Sequence, residues 1–144
     1  EDNLSHNGHC WVYDDAKVMG QAHVFGNARI RNEAVIEDEA QISGEARVIN
    51  EARVGGKAEV HDRAIIKEKG HIFDEAEVYG HAWVYGSAKV YERAKVLMDA
   101  RVYMEAEIYG EAKIAGGAKV FGDARIFGSA RIENATILQG EVSE

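Results

Sequence analysis

The residues best equipped for chemistry are six histidines, His6, His9, His23, His61, His71 and His81, and the sole cysteine, Cys10. A histidine acts as a general base when it lies within hydrogen-bond reach of the group it deprotonates. Nucleophilic catalysis needs a side chain paired with such a base. Serines are few, Thr136 is the only threonine, and there is no Gly-x-Ser-x-Gly. Glycine-rich phosphate loops need a strand-loop-helix setting, so Gly55-Gly56 and Gly116-Gly117 read as ordinary corners. Cys10 cannot form an intramolecular disulfide, so nothing points to an oxidising compartment. It reads as a small residue standing where its neighbours have alanine. No catalytic, cofactor-binding or metal-binding residues are assigned, and no cofactor is expected.

The framework that would have to position such residues is unusually regular. From Cys10 to Thr136 every sixth residue is small, departing from Ala only at Cys10, Gly70 and Thr136. From Val12 to Leu138 every sixth residue is Val, Ile or Leu. The twenty-two units read small-x-aliphatic-x-turn-x, as in Ala16-Lys17-Val18-Met19-Gly20-Gln21. Six residues make three strand periods and do not keep one face of a helix apolar. Even positions therefore point inward and odd positions outward, along extended chain rich in β-branched residues. The turn position holds Gly eleven times, Asp four, Asn three, Glu two and Met two. Gly, Asn and Asp accept positive φ, so they bend the strand sharply. Three sides per turn give 18-residue coils, about seven of them, in a prism on the order of 35 Å long at the spacing of stacked strands. One coil cannot cover its own apolar side, so stability comes from stacking neighbours. The expected fold is an all-β, triangular, parallel β-helix. Residues 1–9 form a leading capping segment, residues 10–141 the β-helix and residues 142–144 a tail. Met98 and Met104 replace the turn residue in adjacent units, which predicts a locally wider corner.

Small-x-aliphatic repeats of six resemble the hexapeptide-repeat superfamily, known for trimeric acyltransferases. That resemblance implies left-handed coiling; a right-handed triangular helix of the bacterial cytoskeletal bactofilin type fits the same spacing. The turn residue comes two places after the aliphatic one, as in Val84-Tyr85-Gly86, where the superfamily usually has it directly after. This Ala-x-Val-x-Gly form is similar to a branch of uncharacterised bacterial and prophage proteins. Their Asn-Leu-Ser-His and Trp-Val-Tyr-Asp segments resemble Asn3-Leu4-Ser5-His6 and Trp11-Val12-Tyr13-Asp14 here. Superfamily enzymes place their work in loops that interrupt the coils or at a histidine between subunits, and this repeat has no such interruption. A metal site would need histidines at matching positions on neighbouring coils, and no two here are 18 residues apart. His61, His71 and His81 read as solvated surface residues, and His6 and His9 as part of the cap over the first coil, with Leu4 and Trp11.

Stacking by 18 sorts the outward residues into ladders. Phe73, Tyr91, Tyr109 and Phe127 share one side; Tyr85, Tyr103 and Phe121, with Trp83 beside them, share a second. These eight residues form the candidate interaction surface, because contiguous apolar patches often mark protein contacts. The third side, from Phe25 to Glu133, is not a continuous aromatic ladder. Lys or Arg precedes the aliphatic residue in eleven units, and Asp or Glu follows the turn in eleven, so rows of opposite sign pair locally. Lys95, Lys113 and Arg131 read as the one all-basic run, a solvated row.

The net charge of −8 argues against nucleic acid as a partner, and mimicry of DNA would need negative charge less diluted by basic rows. No apolar run approaches the ~20 residues of a membrane helix and no signal-peptide pattern opens the chain, so no membrane partner is expected. The start at Glu1, without methionine, reads as a fragment or a processed chain. The leading expectation is a non-enzymatic structural or protein-interaction rod, cytoplasmic, or virion-associated if phage-derived. Its expected partner is another protein or further copies of itself, as a trimer or end to end. The alternative is an acyltransferase-like enzyme with a site between subunits.

Overall fold

The computed structural model describes residues 3–144, with residues 5–7 described by backbone alone. The capping role expected of the His6 side chain lies outside the described residues. Twenty-four short strands build three eight-stranded parallel sheets, and each strand pairs with the third one before and after it. No helix occurs among the described residues. The first sheet runs from Leu4–Gly8 through His23–Gly26 to Arg131–Glu133. The second runs from Trp11–Val12 to Thr136–Ile137, and the third from Lys17–Val18 to Glu141–Ser143. The register is the 18-residue coil: Val60 lies between Ile42 and Val78, and Ile66 between Val48 and Val84. The chain is a parallel three-sheet β-solenoid of about seven coils.

Inside, the rows of Ala and of Val or Ile are closed to solvent from Ala22 to Ile126, and among the described residues no polar or charged one is buried. Near each corner the interior narrows. A Cβ added at Gly70 would lie 3.1 Å from the Val84 carbonyl and 3.3 Å from Ile66, so little more than a methyl fits in that row. The β-branched row fills the wider centre, where each fully buried side chain contributes roughly 1.5–3 kcal/mol.

Every corner from Asp14 to Asn134 has φ between 53° and 72°. The amide two residues beyond the corner returns to the carbonyl just before it, as in Ala58 N–H to Gly55 O at 3.3 Å. Positive φ at the first central residue of such a turn favours glycine and costs other L-residues about 1–2 kcal/mol. Where Asp or Glu replaces glycine, the side chain can act on the coil above. Asp38 Oδ2 accepts the Gly56 N–H at 2.9 Å, Asp62 Oδ2 the Gly80 N–H at 3.1 Å and Glu92 Oε2 the Gly110 N–H at 2.7 Å. Asp74 and Glu68 do the same for Glu92 and Gly86. The wider corner expected at Met98 and Met104 is absent. Their φ values are 60° and 61°, and the coil below donates to their carbonyls at 2.8 and 2.7 Å as it does elsewhere. The stacked strands on both sides dictate the corner, whatever residue occupies it.

The last coil departs from the six-residue beat. Thr136 pairs with Lys119 and Ile137 with Val120, while Arg125 pairs with Glu141 and Ile126 with Val142. Ala135 and Gly140 thus take the small-residue places, accepting the amides of Lys119 and Arg125 at 2.8 Å. Thr136 and Leu138, expected inside, face out, and Leu138 is 53% exposed. Ala135 and Gly140, in those places, are exposed, so the last coil is not sealed as the inner ones are. Strand pairing also reaches Ser143, within the segment expected to be a tail.

Candidate interaction faces

Parallel strands in register place equivalent residues about 4.8 Å apart, and flat rings at that pitch lie face to face. On the third sheet, Phe73, Tyr91, Tyr109 and Phe127 stack with centroids 4.9, 5.0 and 5.2 Å apart and planes within 8°. On the second, Tyr85, Tyr103 and Phe121 stack at 4.8 Å with planes within 6°. Trp83 meets Tyr85 edge-on at 6.4 Å and 77°. All eight residues are half-buried. The rings spend their π faces on each other, so they present edges and hydroxyls to solvent. Burial is the main cause that raises the Tyr85 and Tyr91 phenols above the ordinary tyrosine value. On the first sheet, among the described residues, only His61 and Tyr79 stack, at 4.9 Å. Leu97, the next rung, is buried.

The structure keeps the histidines apart. His61 Nδ1 lies 3.4 Å from the neighbouring Asp62, and His81 Nδ1 lies 3.6 Å from Asp99 on the next coil. His71 is half-buried on the third sheet, in register between Arg53 and Lys89, rather than fully solvated as expected. Burial, then the two cations, holds it below the usual histidine value, with Glu37 opposing. Arg53, His71, Lys89, Lys69 and Glu51 line an open groove of about 410 Å³. Among the described residues no group of three or more His, Cys, Asp or Glu is placed to hold a metal.

Charged rows pair between coils: Lys95 with Glu77 at 2.8 Å, Lys89 with Glu107 at 3.0 Å and Arg63 with Glu45 at 3.3 Å. Exposed pairs of this kind contribute about 0–1 kcal/mol each. The bond Lys95 donates to Glu77 raises the Lys95 pKa, so the run Lys95, Lys113, Arg131 begins with a cation already paired. The second sheet sets Arg29 directly against Arg47, and Arg101 against Lys119. Reading charge one row at a time missed these cations. The signal that would have found them is the sum over both outward columns of one side.

A family model described as the YdcK beta solenoid repeat matches residues 40–56. That stretch holds Gln41–Ile42, Arg47–Val48 and Arg53–Val54, one strand from each sheet. No curated protein and no solved structure matches the chain. Both the matched stretch and the three stacked sheets make the chain a β-solenoid repeat protein.

Proposed function

We propose that the chain is a non-enzymatic rod that spaces, displays or docks another protein domain. The observation that carries this reading is the unbroken stack of three eight-stranded sheets around a dry Ala, Val and Ile interior. Each coil is held by both neighbours, so the unit is stiff along its length and offers flat faces at a fixed pitch. The ladder from Phe73 to Phe127, and Trp83 with the ladder from Tyr85 to Phe121, are its contact surfaces. They take a protein partner or further copies of the chain, as a trimer or end to end, and neither membrane nor nucleic acid. The six-residue beat supports kinship with the hexapeptide-repeat superfamily and its bacterial and prophage branch. The rod then works in the cytoplasm, or on the virion if it comes from a phage.

The rival reading is acyl transfer between subunits, and the groove around His71 favours it enough to deserve a direct test. Acetyl-coenzyme A is incubated with amine and hydroxyl acceptors and the wild-type chain, or the H61A, H71A and H81A variants. The expected result is no turnover above the protein-free rate. Turnover that any one of these substitutions removes overturns the rod.

A further inference from the structure

The second sheet differs in kind from the other two. Its outward columns carry Arg29, Arg31, Arg47, Lys67, Arg101 and Lys119, and neither column contains a carboxylate. The third sheet has Glu37 and Glu107 in the equivalent places, and the first has Glu59, Glu77 and Glu133. Among the described residues only Lys67 of these cations has an ion pair, with Glu68 at 3.5 Å. The others face solvent or rings: Arg31 lies 4.8 Å from the Tyr13 centroid and Arg101 5.4 Å from that of Trp83. Setting like charges directly opposite each other destabilises a sheet. Yet the chain stacks Arg29 on Arg47 and Arg101 on Lys119 while its net charge is −8.

Exposed apolar side chains lie along the same side, at its two ends and beside Arg101. Trp11, Tyr13 and Leu138 lie on the second sheet, and Met98 and Met104 occupy the two corners that bound its Arg101–Val102 strand. They are five of the seven large apolar residues most exposed in the chain. Met98 and Met104 are more than half exposed and hold positive φ without the side-chain hydrogen bond that Asp, Asn or Glu makes there. Fold stability gives no reason for methionine at either corner. Arginine, aromatic residues and methionine, with acids absent, make up the composition that sets the core of a protein interface apart from other surface.

We propose that the outward face of the second sheet is the docking surface of the rod, and that it takes an acidic polypeptide segment carrying apolar side chains. The inference rests on the rod reading and names the face and the partner's chemistry. The cations extend from Arg29 to Lys119 over five coil steps, about 24 Å at the strand pitch. Along the corners on either side acids and bases pair with each other, Glu45 with Arg63 at 3.3 Å and Glu51 with Lys69 at 3.8 Å, so the unpaired cations are those of the strip. Single-stranded nucleic acid needs open ring faces to stack on, and the ladder has used those of Tyr103. A polypeptide needs only the cations, the ring edges and the methionines.

The test is fluorescence anisotropy with a labelled glutamate–tyrosine copolymer. Because the chain as a whole repels a polyanion, binding requires a local cationic face. The wild type is expected to bind, and R47E/R101E to lose roughly tenfold or more in affinity, as loss of complementary charge at an interface does. K113E/R131E changes the net charge equally on the first sheet and is expected to keep wild-type affinity. M98S/M104S is expected to weaken binding while leaving the salt dependence unchanged. Circular dichroism checks that each variant is folded. Absence of binding, or equal loss in the two charge-reversal pairs, overturns the proposal. So does an oligothymidylate that displaces the copolymer and is insensitive to M98S/M104S, since the face would then be a nucleic-acid strip. Sedimentation showing self-association that R47E/R101E abolishes would assign the face to a second copy and overturn the acidic partner. None of these failures touches the rod reading, which falls only to histidine-dependent acyl transfer.

Discussion

Asp62 gives the sharpest test of why the corners contain carboxylates at all. Its φ is 58°, and its Oδ2 accepts the Gly80 N–H of the next coil at 3.1 Å. The corner conformation costs a residue with a Cβ about 1–2 kcal/mol, and the hydrogen bond returns about 1 kcal/mol. D62A keeps the conformational cost and loses the bond, so it should destabilise by about 1–1.5 kcal/mol. D62G loses the same bond but removes the cost, and should lie within about 0.5 kcal/mol of wild type. D62N keeps an acceptor and should also stay close. The ordering is read from thermal melts followed by circular dichroism, where about 1 kcal/mol shifts the midpoint by roughly 2–4 °C in a chain of this size. The bond to Gly80 is also the main cause that holds the Asp62 carboxyl below 3.8. Its contribution is therefore complete above the unfolded value and lost as pH falls below it. The gap between D62A and wild type should close in acid. Equal melting of D62A and D62G would refute the reasoning, since the corner would then impose no cost on a Cβ.

Three further outcomes follow from the same geometry. G56A puts a Cβ 2.7 Å from the Asp74 amide nitrogen at φ 65° and should cost about 2 kcal/mol, seen as a lower urea midpoint. I66A removes a fully buried side chain and should cost about 2–5 kcal/mol, with hydrogen exchange quickening first in the coils on either side. His71 is held below 6.5 by burial and by Arg53 and Lys89, so the unfolded chain takes up that proton first. Stability should be complete above about pH 6.5 and fall as pH drops through that value toward the folded one; H71Q should flatten this part of the stability–pH curve.

The inward rows, the 18-residue register and the ring ladders were legible in the sequence because each is strictly periodic, and in a solenoid period is position. The last coil was not, because Ala135-x-Ile137 and Thr136-x-Leu138 both satisfy small-x-aliphatic. Pattern cannot rank them. The Met98 and Met104 corners were misread for a related reason. Residue preference describes what a corner favours, but the hydrogen bonds from His81 and Ser87 to their carbonyls fix the backbone from outside. The candidate contact faces were legible as ring columns only. How the rings lie, and what accompanies them, depends on both outward columns of a side at once.

That pairing of columns separates two ladders that look equivalent. The third-sheet rings from Phe73 to Phe127 run beside Lys89, Glu107 and Arg125, and Glu107 lies 3.0 Å from Lys89 and 3.8 Å from Arg125. Charge there is satisfied within the chain, and a partner would have to break those pairs before making its own. The second-sheet rings run beside Trp83, Arg101 and Lys119, where Arg101 lies against the Trp83 ring. Cation–ring contacts at exposed sites contribute about 0.5–1 kcal/mol, less than a hydrogen bond to a charged group gives, about 1.5–3 kcal/mol. A carboxylate brought in by a partner therefore improves the position of Arg101 without first dismantling an ion pair. Stacking alone makes both ladders stiff. On the docking proposal, the unpaired charge beside one of them is what sets that face apart.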